Sequence, residues 1–179
     1  MVAILAGRRI DAEDADVARF PARMVASVKQ ALNESFVSHN VTALVSSAAC
    51  GADLIAITVA RERAMPFRIV LPYNECLFRE TSVVDRPGHW GPVFDSAVAV
   101  ARAHDDLVVV GSAEGDEAYI RTNEVMFDEG LRLASTSAQD GCLALVVWDD
   151  SRRGSDDVTG HFVDQAALRN VPLSTIRTI

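Results

Sequence analysis

Lysine is all but missing, with Lys29 the sole one in a chain of 179 residues. It falls inside a predicted helix with no glycine loop before it. That placement excludes a Walker A phosphate loop and leaves no pocket lysine for a pyridoxal phosphate Schiff base. Cysteine is scarce too: Cys50, Cys76 and Cys142 form no CxxC pair. A disulfide framework and a cysteine-rich zinc site are therefore excluded, and reduced thiols are expected. Cys142 opens an apolar run and reads as core, while Cys50 lies in a loop taken up below. Positive charge is short as well, since 17 Lys and Arg face 25 Asp and Glu for a net charge of -8. Binding to a nucleic-acid backbone, which needs clustered cations, is disfavoured.

Long apolar runs are absent: nothing approaches the roughly 20 residues of a membrane span. The opening MVAILAGRRIDAEDADV passes from a short apolar stretch straight into mixed charge, without the apolar core of a leader. The expectation is a soluble, unexported, cytoplasmic chain with no membrane partner. His39, His89, His104 and His161 share no metal-ligand spacing, so no metal and no cofactor are expected. His89, beside Trp90, is the histidine of functional interest.

What the chain does have is apolar character, 49% hydrophobic residues against 23% charged, enough for one packed core. Apolar, β-branched runs recur at Val2 to Ala6, Val41 to Val45, Phe67 to Leu71, Leu107 to Val110, Leu143 to Trp148 and Leu173 to Ile176. Most are continuously apolar, as in strands covered on both faces. Helical stretches fall between them: from near Pro21 with Met24, Val28, Leu32 and Phe36 inward, Ala52 to Ala64, Val93 to Ala103, Asp116 to Ser135 and Thr159 to Arg169. Gly130 weakens the continuity of the fourth. The pattern predicts a single α/β domain over residues 1–179, a Rossmann-like, doubly wound, mostly parallel sheet of about six strands with helices on both faces. Residues 73–91 form an unusually long connection, part of it near Cys76 to Thr81 helical, and read as a lid over a ligand.

In such a sheet the loops at the carboxyl ends of the strands surround the ligand. After the first strand, Gly7, Arg8 and Arg9 offer guanidinium forks to a phosphate; alternatively the arginines pair with Asp11, Glu13, Asp14 or Asp16. After the second, Ser46, Ser47, Cys50, Gly51 and Asp53 form a small-residue turn into a helix whose free N–H groups suit an anion. The alternative is a tight turn capped by serine or Asp53. Gly51→Val is expected to remove binding while folding largely survives, at a cost of about 1–3 kcal/mol if the native dihedral is strained. After the fourth come Gly111 and Ser112, and after the fifth Asp149-Asp150-Ser151-Arg152-Arg153-Gly154-Ser155; their acids can accept ribose hydroxyls, or the loops are simply solvated.

The order of these pieces, AGRR, SSAACGADLIA, IVLPYN and LVVWDDSRRGSDDVTGHFVDQA, resembles a bacterial superfamily of nucleotide-binding Rossmann-like domains. This SLOG superfamily groups the Lonely Guy cytokinin-activating enzymes, the proteins misnamed lysine decarboxylases and the Rossmann domain of DNA-processing protein A. The resemblance implies phosphate at the second-strand loop and base or sugar across the later loops. Pro72, Arg79, Asn123, Gly154 and Thr159 join the candidate ligand-binding residues on that ground. It also implies a homo-oligomer. The phosphoribohydrolase branch carries PGGxGTxxE where this chain reads GSAEGDEAYIRTNE, leaving Glu117 and Glu124 as the candidates for its catalytic acid. The first expectation is a sensor or carrier of a nucleotide or nucleotide-derived ligand. An N-glycosidase acting on nucleoside monophosphates and a structural homo-oligomer with a vestigial pocket are the alternatives.

Overall fold

A computed structural model of the chain describes residues 1–136, 141–154 and 157–179. Six parallel strands, β1 (Val2–Gly7), β2 (Ala43–Ser46), β3 (Phe67–Leu71), β4 (Leu107–Val109), β5 (Cys142–Trp148) and β6 (Leu173–Arg177), form one sheet in the order β4-β3-β2-β1-β5-β6. The strand order reverses between β1 and β5, which pair from Val2↔Cys142 to Gly7↔Val147. These central strands are apolar at every position because both of their faces are covered. Ala3 and Leu5 face one core, with Leu44, Ile69 and Leu145, while Val2 and Ile4 face the other, with Val45, Val70 and Val146.

The first core is covered by α1 (Val25–Ser38), α2 (Ala52–Glu62), α3 (Glu75–Ser82) and α4 (Trp90–Ala103). The second lies under α5 (Asp116–Thr136) and α6 (Val158–Leu168). In α1 the buried residues Val28, Leu32 and Phe36 recur at the helical repeat. Each such side chain contributes about 1.5–3 kcal/mol on leaving water. A single 3-10 turn, Ala22–Met24, replaces the α-helical start expected at Pro21, which instead stands outside that turn as its cap. Gly130 does not break α5: a Cβ there would stand 2.4 Å from Ile4 Cγ1, so the glycine lets the helix settle onto β1. Among the described residues no helix is long and apolar enough to cross a membrane.

Residues 73–91 are more ordered than a long loop. Asn74 caps α3 by accepting from the Leu77 N–H at 3.0 Å, and Phe78 and Val83 are fully buried. The sequence hint of helix near Cys76 to Thr81 extends over a whole element, fastened to α4 by the Arg79–Asp95 pair.

Candidate functional site

A cleft of about 720 Å³ opens over the carboxyl ends of β1 and β5, where the strand order reverses. Its walls are the loop after β1, the β2–α2 turn, the end of α3, the first turns of α5 and the approach to α6. Asp11 shapes the first wall by accepting from the Arg19 and Phe20 N–H groups, which closes residues 11–20 into a loop beside the opening.

Arg8 is spent inside the protein. Its side chain is 2% exposed, and it forks onto Asp157 at 2.6 and 2.8 Å, reaches Asp149 at 2.9 Å and donates to the Ser151 carbonyl. Trp148 lies under the guanidinium, 5.8 Å away. Burial opposes its charge, and the hydrogen bonds it donates to the two aspartates more than compensate, raising its pKa. For Asp157, burial alone would favour the neutral acid, yet Arg8 and the Arg153 N–H hold it at about 2. Asp149 also takes Arg19 at 2.7 Å. Two arginines and two aspartates thus neutralise one another, tying β1 to the β5–α6 loop. Arg8 keeps no fork for a ligand, and Asp149 and Asp157 are no longer free acceptors for ribose hydroxyls. The near-sequence acids expected to pair with the arginines are not their partners.

Arg9, Arg86 and Arg153 are different. Arg9 uses Nη1 on Asp85 and the Thr81 carbonyl, and its side chain is 31% exposed. Arg86 brings its buried Nε to 3.6 Å from the same aspartate, an ion pair too long for a hydrogen bond. Arg153 is exposed, and its guanidinium makes no hydrogen bond or ion pair among the described residues. Local desolvation, then the charges of Arg8 and Arg19, lower its pKa. All three line the cleft. The lining balances five arginines, Arg8, Arg9, Arg19, Arg86 and Arg153, against five aspartates, Asp11, Asp16, Asp53, Asp116 and Asp157, so what it offers an anion is guanidinium donors rather than net positive charge.

The β2–α2 turn is tightly wound, with Ala48 at φ 78° and Gly51 at φ 99°. A Cβ on Gly51 would meet Arg8 O and Ile10 N at 2.8 Å, so this glycine lets the loop after β1 pass against the helix start. That contact with backbone adds overpacking to the dihedral strain that Gly51→Val must bear. Much of the turn's hydrogen-bonding capacity is internal: the Ala49 N–H goes to Asp53, Cys50 to Ser82 O, Ala52 to Arg8 O and Leu54 to Ala49 O. Ser46 is buried and donates to Leu5 O at 3.1 Å. Cys50 is fully buried and its thiol is pushed up to about 12 by that burial, which makes it core. Asp53 is buried, lines the cleft and leaves Oδ1 without a hydrogen-bond partner.

The structure therefore brings Gly7, Arg8, Arg9, Ser47, Asp53, Asn123 and Thr159 to the cleft wall. Asn123 donates to the Val158 carbonyl and joins α5 to α6. Ser46, Cys50, Gly51, Pro72, Arg79, Gly111, Ser112 and Gly154 are not part of the wall; Arg79 pairs outward with Asp95, and Ser112 donates its N–H to Pro72 O. Glu117 is exposed and Glu124 pairs with Arg121, both outside the cleft. Ser155 lies outside the described residues. Among those residues no group of His, Cys, Asp and Glu could hold a metal ion. A hydroxyl chain also borders the cleft: Tyr73 to Tyr119 at 2.6 Å, and Tyr119 to Ser82 at 2.9 Å. Sequence reading missed Arg19, Arg86 and this chain, because none belongs to a local motif.

No protein-family model matches the sequence, and no curated protein matches it. Among solved structures the chain is similar to the Moco carrier protein from Chlamydomonas reinhardtii, at 13% identity and a TM-score of 0.36, over 99% of this chain and 90% of that one. It is also similar to DNA processing protein A (DprA) from Streptococcus pneumoniae, at 12% identity and a TM-score of 0.40, over 97% of this chain and 57% of that one. Likenesses this distant say nothing of what this chain binds.

Proposed function

We propose that this protein binds a nucleotide or nucleotide-derived anion in the cleft over β1 and β5, as a sensor or carrier. The observation that carries the reading is the set of arginines with donors to spare, Arg9, Arg86 and Arg153, lining one cleft at the reversal of strand order. A guanidinium fork suits phosphate oxygens. The volume suits a ligand of nucleotide size, since small-molecule sites span roughly 300–1,000 Å³. Segment 73–91, read as a lid, supplies Phe78, Ser82 and Arg86 to the wall. The hydrolytic alternative is less well supported, because no glutamate lines the cleft.

Thermal unfolding with AMP, ADP and adenosine tests the reading. Binding at about 100 times Kd adds about 2.7 kcal/mol, so the nucleotides are expected to raise the Tm by several degrees and adenosine far less. In the double variant Arg86→Gln, Arg153→Gln that difference should vanish. Equal stabilisation by adenosine, or an unaltered response in the double variant, would overturn the arginine site.

A further inference from the structure

The cleft holds a second feature that phosphate binding alone does not explain. Asp53 is 5% exposed on the wall that holds Arg9, and its Oδ1 has no partner. Its Oδ2 accepts from the Ala49 N–H at 3.1 Å. From β2, Ser46 comes near but gives its single hydroxyl proton to the Leu5 carbonyl. From the loop after β1, Arg9 acts on the carboxyl at a distance while bound to Asp85, and Arg8 is held by Asp149 and Asp157. The α3 end contributes Ser82 and Arg86 to the same cleft, and α5 contributes Asp116 and Tyr119. No cation makes an ion pair with Asp53 among the described residues. A carboxylate in the first turn of a helix is ordinarily favoured by the helix dipole. Here burial without a counter-ion wins, as it does for isolated buried charges.

We propose that Asp53 makes ligand binding proton-linked: a phosphate-bearing anion enters the cleft together with one proton, taken from solvent onto the Asp53 carboxyl. The proposal rests on the anion reading above and names a property of the same site. An incoming anion adds negative charge and excludes water, and both favour the neutral acid. Burial already lifts Asp53 to about 7, against the Ala49 N–H and Arg9, so the group is poised where a small push changes its state. No histidine lines the cleft to imitate the effect. The sign follows: the ligand-bound pKa exceeds the free one, so affinity rises as pH falls through neutrality. The neutral carboxyl also gains an O–H donor with which to hold a phosphate oxygen.

Calorimetric titration of the full chain with ADP, in PIPES and in Tris, reads protons taken up from the difference in heat between the buffers. Asp53→Asn is the comparison, and ADP's own titration is common to both proteins and cancels. Wild type is expected to take up about half a proton more than the variant near pH 7, approaching one near pH 8. Its affinity should fall about tenfold relative to the variant between about pH 6.5 and about pH 8.5. Equal uptake in the two proteins overturns the proposal while leaving the anion site intact. No ADP binding to wild type at any pH overturns the nucleotide reading and this one with it. Should Asp53→Asn fail to fold, carbon NMR of the wild-type carboxyl with and without ADP decides: its titration must move to higher pH, and an unmoved or lowered midpoint refutes the linkage.

Discussion

Two aspartates on opposite sides of β1 are equally shielded from solvent and titrate in opposite directions from an ordinary acid. Asp157, on the β5 side, is 6% exposed, and Asp53, on the β2 side, is 5% exposed. Burial pushes both carboxyls up, yet Asp157 ends at about 2 and Asp53 at about 7. Asp53 lies deeper among protein atoms, and it has fewer partners. Asp157 faces the Arg8 fork and two backbone N–H groups, whereas Asp53 has one N–H and a distant arginine. Partners set the charge state of a buried acid once water is gone. The β5 side is accordingly a closed electrostatic unit that holds the loops together, and the β2 side retains an open demand that a ligand can meet.

The severest way to break the comparison is Arg8→Met, which turns Asp157 into another Asp53 by leaving its carboxylate buried without a cation. Removing one member of a buried pair costs about 3–5 kcal/mol. Urea denaturation near pH 7 should show that loss, and a cost under about 1 kcal/mol would mean that the cluster does not tie β1 to the β5–α6 loop. Next comes Gly51→Val, where a branched side chain at φ 99° would meet backbone atoms at 2.8 Å. Strain and overpacking together cost about 2–4 kcal/mol. Gly51→Ala should share most of the strain, so a stable alanine variant would point to shape rather than dihedral.

The two acids also predict opposite pH signatures. Asp157 sits below its unfolded value of 3.8, so its stabilisation is full above about pH 4 and is lost as pH falls toward about 2. Asp53 sits above its unfolded value of 3.8, so its ionisation costs nothing below about pH 4 and progressively more up to about pH 7. Asp53→Asn should therefore gain about 1–3 kcal/mol on wild type between about pH 5 and about pH 8, read from denaturation at each pH. A constant difference would show that Asp53 titrates as an ordinary acid.

The fold was legible because its signals are local and repeated. Uninterrupted apolar runs such as Leu143 to Trp148 announce strands covered on both faces, and the spacing of Val28, Leu32 and Phe36 announces a helix on a sheet. The site was legible only as a place. Gly7, Arg9 and Asp53 were found from strand tips and Thr159 from the resemblance, but nothing near Arg8 in sequence tells that its partners lie 141 and 149 residues away. Arg8 and Arg9 are identical as letters; the chain leaving β1 sends one over Trp148 and the other toward Asp85. Arg86 was obscured because residues 73–91 read as a loop, while α3 within them fixes its position through Phe78 and Val83.

The smallest effect is expected at Arg153, where the comparison can be sharpened without disturbing the core. Its guanidinium has no partner among the described residues, and its charge is opposed by Arg8 and Arg19. Arg153→Gln should therefore leave stability within about 0.5 kcal/mol of wild type, with any change a gain, because solvent screens an exposed charge. The discriminating variable is salt. Repulsion within the arginine group is weakened as the Debye length falls from about 10 Å at 0.1 M to about 3 Å at 1 M, so sodium chloride should stabilise wild type slightly more than the variant. A loss above about 1 kcal/mol on substitution would mean that Arg153 is held in place like Arg8. The donors that distinguish the open side of the cleft would then reduce to Arg9 and Arg86.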